Sequence, residues 1–178
     1  MKFAPIIYLI GMLLCILSLF MLIPALVDWF YGSRDWPAFI ASSLTTLIVG
    51  GALFLSARGS ATEHLELRQA FLLTNSAWIS IALFGSLPFL FSDINMSITD
   101  AIFESTSGIT TTGATVIDTL DSTSHGILIW RALLQWLGGV GIIVMALAIL
   151  PMLSIGGMQL FKTESYETPD KVVPKAAS

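Results

Sequence analysis

Residues 107–116 read SGITTTGATV, four threonines and two glycines in a nearly uncharged ten-residue stretch set between strongly apolar segments. Hydroxyls and closely spaced backbone carbonyls are hard oxygen donors, and glycine lets a backbone aim successive carbonyls where a side chain would forbid it. The chemistry that this combination suits is replacement of the hydration shell of a dehydrated cation such as potassium. Thr110, Thr111, Thr112, Gly113, Ala114 and Thr115 are the candidate ligating stretch, with the carbonyls of Thr111, Thr112 and Gly113 as the ion ligands. The competing reading is an exposed Ser/Thr/Gly loop, which the composition alone also allows. Other chemistry finds little support. His64 and His125 have no Cys or His neighbours at ligand spacing, Cys15 is the only cysteine, and no hydroxyl has a His partner at hand for nucleophilic catalysis, so an enzyme is not expected.

Two charges flank the stretch. Glu104 lies just before it and Arg131 just after it, both at the edge of apolar sequence, where ionised groups are costly and usually paired. Arg131 is expected to pair with Glu104 or Asp100 and so to support the loop; the alternative is an arginine that snorkels to the headgroups. Asp118 and Asp121 follow the loop and are either a cation-concentrating mouth or solvated loop acids.

The elements that must position these residues are helices in a membrane. Of the 178 residues 55% are hydrophobic and 11% charged, less than half the charged share of about 25% in soluble domains. The net charge of −4 has no basic run for nucleic acid. Apolar runs at residues 5–27, 37–57, 69–91 and 126–150, the last extended through Phe161, are each long enough to cross about 30 Å of hydrocarbon. Pro37 suits a first turn, Pro88 is expected to end the third span, and Pro151 to kink the fourth. Lys2, Arg58, Arg68, Lys162, Lys171 and Lys175 fall on one side and Arg34 and Arg131 on the other, which puts both termini in the cytoplasm. Trp29, Trp36 and Trp130 are expected in the outer aromatic belt.

Between spans three and four, residues 97–107 pattern as a short helix capped by Asn95 or Ser97, with Ile98, Ala101, Ile102 and Ser105 on its apolar face. Eleven residues make about 16 Å, half a bilayer, so the segment reads as a re-entrant helix with residues 108–116 as the return and Gly108 and Gly113 as its flexible points. Its carboxyl end, with about half a negative charge, favours a cation. Gly138, Gly139 and Gly141 in span four are read as close-packing positions, with a gating hinge as the alternative. The fold class expected is all-α and membrane-embedded: four spans, one re-entrant pore helix and a filter loop.

FESTSGITTTGATV followed by WRALLQWLGGVGIIV resembles the Trk/Ktr/HKT superfamily of potassium transporters, most closely its TrkH-type membrane subunits. The resemblance covers the whole chain. It implies an amino-terminal transmembrane hairpin (1–60), a membrane–pore–membrane module (61–161) and a cytoplasmic linker (162–178). It further implies potassium uptake by symport at a bacterial inner membrane, with Gly113 as the central filter glycine. Family members carry four such modules around one pore, form homodimers, and work with a cytosolic nucleotide-binding regulatory subunit of the TrkA kind. No GxGxxG fingerprint is present, so no nucleotide cofactor is expected in this chain. One module stands where the family has four, which implies a fragment, a truncated gene product or a split subunit, or four copies that assemble one pore; a non-conducting truncated fragment or interaction module that only associates with related chains is the alternative.

Overall fold

A backbone in hydrocarbon must satisfy its own N–H and C=O groups, and a single apolar run can do so only as a helix. The computed structural model follows this rule; it describes residues 3–60, 67–118 and 120–164, and every regular element among them is helical. Lys2, His64 and residues 165–178, most of the expected linker, lie outside the described residues.

The first span is two helices, α1 (Ala4–Phe20) and α2 (Leu22–Phe30), separated at Met21. Pro24 explains the break: it has no N–H for the carbonyl one turn back, at Phe20, and its ring crowds that carbonyl. Helix α3 (Trp36–Ser56) starts with Pro37 in its first turn, as expected. The third span is also divided, into α4 (Leu67–Gly85) and α5 (Leu87–Phe91). Pro88 therefore opens a short helix instead of closing a long one, since the first turn needs no N–H from it. Helix α6 (Ile98–Ile109) follows, and then α7 (His125–Glu164). Residues 4–30, 36–56, 68–91 and 125–147 are each long and apolar enough to cross a membrane.

The chain divides into two compact units, residues 1–143 and residues 144–178. In the second unit α7 stays helical to Glu164 through Pro151, so no interruption marks the expected kink. In the first unit α1 lies along α3 at close range, and a Cβ on Gly50 would stand 2.8 Å from Leu14 Cβ and 3.1 Å from the Gly11 carbonyl oxygen. Small residues allow this approach, and Ser43 Oγ uses it to donate to the Ser18 carbonyl at 2.8 Å. The core of the unit runs from Met21 and Phe39 through Phe89 to Ile127, Trp130 and Leu134, which ties the hairpin to the segment around α6. Trp130 is fully buried and not part of a belt, because its indole N–H donates to the Gly85 carbonyl at 2.9 Å, at the break between α4 and α5. Trp29 and Trp36 are exposed, as belt residues would be.

Candidate functional site

Helix α6 begins where its sequence provides a cap. Ser97 has extended backbone, its Oγ accepts the Asp100 N–H at 3.1 Å, and its hydroxyl donates to Asp100 Oδ2 at 2.7 Å. Asn95 is not the cap; its φ is +56° and its amide donates to the Asp93 carbonyl. The helix runs two residues past the expected end. Gly108 is helical, and its lack of a side chain serves packing instead of unusual dihedrals: a Cβ there would lie 3.0 Å from Leu134 Cβ on α7.

The buried face of α6 also differs from the apolar pattern. Ala101 and Ser105 are buried as expected, but Ile98 is 68% exposed and the buried set includes Glu104, at 1%. A buried carboxylate is tolerable only when paired and hydrogen-bonded, and Glu104 is both. One oxygen, Oε1, accepts from Arg131 Nε on α7. The other, Oε2, accepts from the Val116 N–H at 3.0 Å and from the Thr115 hydroxyl at 3.1 Å. Of the two partners open to Arg131, the structure selects Glu104; Asp100 bonds Ser97 instead.

Ser107 lies three residues beyond Glu104, on the same side of the helix. Its carbonyl accepts the N–H groups of Thr112 at 3.0 Å and Gly113 at 3.4 Å, and its hydroxyl donates to the Ala114 carbonyl at 2.6 Å. The Thr111 N–H closes on the Gly108 carbonyl at 2.9 Å. The hydroxyls of Thr110 and Thr112 lie 2.8 Å apart, and Thr110 Oγ1 also donates to the Thr106 carbonyl. Residues 110–116 thus form one exposed ribbon fastened along its back to α6.

The ribbon is neither helix nor strand. Within residues 110–115 Thr111 (φ +59°) and Gly113 (φ +77°) alone have positive φ, so the sign alternates from Thr110 to Ala114. Glycine takes such a conformation freely, whereas for a β-branched residue it is an outlier held by its surroundings. Strained backbone of this kind concentrates at functional sites. Gly138 on α7 sits directly against the Ile109 carbonyl oxygen, and no side chain fits between them. Gly139 and Gly141 face open space, so the close-packing reading holds in this unit for Gly138 alone.

Asp118 lines a cavity of about 470 Å³ beside the ribbon, together with Asp35, Asp93 and Asp100. Among the described residues no group of three His, Cys, Asp or Glu side chains could hold a metal ion. Two supporting residues were not singled out by sequence reasoning. Ser107 was legible in principle from its helical spacing to Glu104. Asp28, fully buried at the end of the first span, accepts the Gly126 N–H at 2.7 Å across 98 residues of sequence; an acid set directly at the end of an apolar run was its only signal.

Residues 36–175 match the sequence model of a family described as TrkH, cation transport protein. The chain is 41% identical over 174 residues to the Trk system potassium uptake protein TrkI of Halomonas elongata, covering 98% of this chain and 35% of that protein. It is 45% identical over 165 residues to TrkH of Escherichia coli K12, covering 92% and 34%. The crystal structure of the potassium transporter TrkH from Vibrio parahaemolyticus superposes with a TM-score of 0.82 at 45% identity, over 88% of this chain and 34% of that one. The chain therefore spans about a third of the length of the relatives it matches.

Proposed function

The chain belongs to the TrkH family of cation transport proteins, a family of multi-pass membrane proteins, and from this premise we propose that residues 110–115 form one quarter of a potassium-selectivity filter in a Trk-type uptake system. The observation that carries the reading is the backbone of the ribbon. Alternating signs of φ at Thr111 and Gly113, with α6 holding the chain from behind at Ser107 and Glu104, free the opposite side for carbonyls and hydroxyls to face an ion. Carbonyl oxygens of Thr111, Thr112 and Gly113 replace part of the hydration shell of potassium. The partial negative charge at the carboxyl end of α6 adds to the attraction.

On this reading α6 is a re-entrant pore helix. It is 12 residues long, about 18 Å at 1.5 Å per residue and too short to cross about 30 Å of hydrocarbon. One module supplies one wall, so conduction needs three more walls, from further modules of a longer chain or from copies of this one. The hairpin (1–60), the pore module (61–161) and a cytoplasmic linker (162–178) keep the roles that the resemblance implies. So do a homodimer, a TrkA-type nucleotide-binding regulatory subunit, and an inner-membrane location with both termini in the cytoplasm.

Growth at limiting potassium tests the proposal. Cells lacking their own uptake systems express the 178-residue chain, or the chain joined to the remaining modules of the Escherichia coli relative, each with a Gly113→Asp control. Rescue that the control abolishes supports the filter, and rescue by the short chain adds that several copies assemble one pore. Rescue that survives Gly113→Asp overturns the filter assignment. Failure of both forms, with protein present in the membrane, leaves the non-conducting interaction module as the better account.

A further inference from the structure

We propose that Ser107 is a positioning residue for ion selectivity: its hydroxyl holds the Ala114 carbonyl away from the ion and so ends the coordinating run at Gly113. The inference rests on the filter reading of residues 110–115 and deepens it, because it gives a physical reason for the ligand run to stop at Gly113 and assigns a residue outside the loop to the task.

The geometry is specific. Ser107 Oγ stands 2.6 Å from the Ala114 carbonyl oxygen, at the short end for a neutral hydroxyl donor. Ser107 is 6% exposed, so water competes poorly for the bond, and in such surroundings a hydrogen bond is electrostatically stronger than in water. Because the donor belongs to α6, the Ala114 carbonyl is directed at the helix. Among the described residues no N–H or hydroxyl donates to the carbonyls of Thr111, Thr112 or Gly113. The carbonyls of Thr111, Thr112 and Gly113 are thus left without a protein partner, and the next one, at Ala114, is committed.

The same residue fixes the spacing of those three. The Ser107 carbonyl receives the Thr112 and Gly113 N–H groups while its hydroxyl takes Ala114, so one side chain and its own peptide grip three successive residues. Selectivity for a larger over a smaller cation depends on the number of coordinating carbonyls and on how far they resist closing in. Without the hydroxyl, Ala114 is free to turn toward the ion and the ribbon to close on sodium.

The test is tracer uptake of rubidium, with sodium as competitor, by the complete transporter carrying this segment in cells without other potassium uptake. Ser107→Ala is expected to lower the ratio of the sodium inhibition constant to the rubidium KM by about three- to tenfold, the worth of one neutral hydrogen bond. Ser107→Thr, which keeps the hydroxyl, is expected to restore most of the ratio. Ser107→Cys, close in size but a weak donor, should fall between and serves if the alanine variant does not reach the membrane. An unchanged ratio in Ser107→Ala or Ser107→Cys, or equal losses in Ser107→Ala and Ser107→Thr, overturns the role of the hydroxyl. Gly113→Ser separates the two readings. If it lowers the ratio while Ser107→Ala does not, the filter stands and this proposal fails. If neither variant moves the ratio, or the unaltered transporter takes up no rubidium, the filter reading fails and this one with it.

Discussion

Glu104, fully buried, and Arg131, half-buried, form an ion pair between α6 and α7, 27 residues apart in sequence, and the carboxylate of that pair also holds the loop that follows α6. The two jobs use different oxygens, which decides what a charge swap can repair. Arg131→Gln leaves Glu104 buried without its cation, a loss of about 3–5 kcal/mol for a pair of this kind. The swap Glu104→Arg with Arg131→Glu restores opposite charges, but guanidinium carries only donors and cannot accept the Val116 N–H. The swapped protein is therefore expected to remain at least about 1 kcal/mol below the parent. Denaturant unfolding of the purified chain in detergent measures this; full recovery by the swap would show that the Val116 bond contributes nothing.

Three glycines close together on α7 have different surroundings, and alanine substitutions should separate them. At Gly138 a Cβ would overlap the Ile109 carbonyl, which is backbone and cannot swing aside. Gly138→Ala is expected to destabilise by about 1–3 kcal/mol, the scale of an overpacked site. At Gly139 and Gly141 nothing lies within 4 Å, and alanine is the better helix former by about 1 kcal/mol. Thermal unfolding of the isolated chain should rank Gly138→Ala well below the other two. Equal effects at all three would mean that α6 and α7 do not meet as described.

Thr111 is held at φ +59°, which its β-branched side chain resists. Holding it there costs about 1–3 kcal/mol, against about 0.5–1 kcal/mol for the chain entropy that a glycine adds. Thr111→Gly is thus expected to raise stability slightly, by about 1 kcal/mol, and, on the filter reading, to weaken cation discrimination because the ribbon loses its fixed shape. A clear loss of stability in the same unfolding assay would show that position 111 is not strained.

The sequence made legible whatever depends on composition and local pattern. Four apolar runs read as spans, and TTTGAT beside a half-length helix pointed to a special backbone, with an ordinary exposed loop as the open alternative. The helix breaks at Met21 and Ser86 were signalled by Pro24 and Pro88 but depended on which side of each proline the helix survives. Burial of Glu104 was less legible. The charge pattern pointed to a pair with Arg131, but burial of the carboxylate also depends on the Val116 N–H and the Thr115 hydroxyl in the loop, contacts that local pattern does not show. Trp130 misled for the same reason: an indole near the end of a span fits a belt, and its buried acceptor, the Gly85 carbonyl, exists only because α4 stops there.

Asp28 supplies the last prediction, because it couples α2 to the start of α7. Its Oδ1 accepts the Gly126 N–H in the first turn of α7, where helix N–H groups lack intrahelical partners and a negative charge is favoured. The fit is tight: a Cβ on Gly126 would collide with the Asp28 carboxylate. Tyr31, just past α2, stacks on His125 at 4.2 Å between ring centroids, a second contact between the same two chain segments. Removing the acceptor with Asp28→Ala should cost about 1–2 kcal/mol, the range of a lost helix cap. Asp28→Asn keeps an acceptor oxygen and should cost less. Gly126→Ala should resemble Asp28→Ala, because it drives the carboxylate off the helix end while leaving its charge in place. Pairing Gly126→Ala with Asp28→Ala then gives the decisive comparison: the double variant should be no worse than Asp28→Ala alone, since the added methyl meets empty space once the carboxylate is gone. Additive losses in that double variant would mean that Gly126 and Asp28 act independently and that the hairpin does not grip α7 at this point.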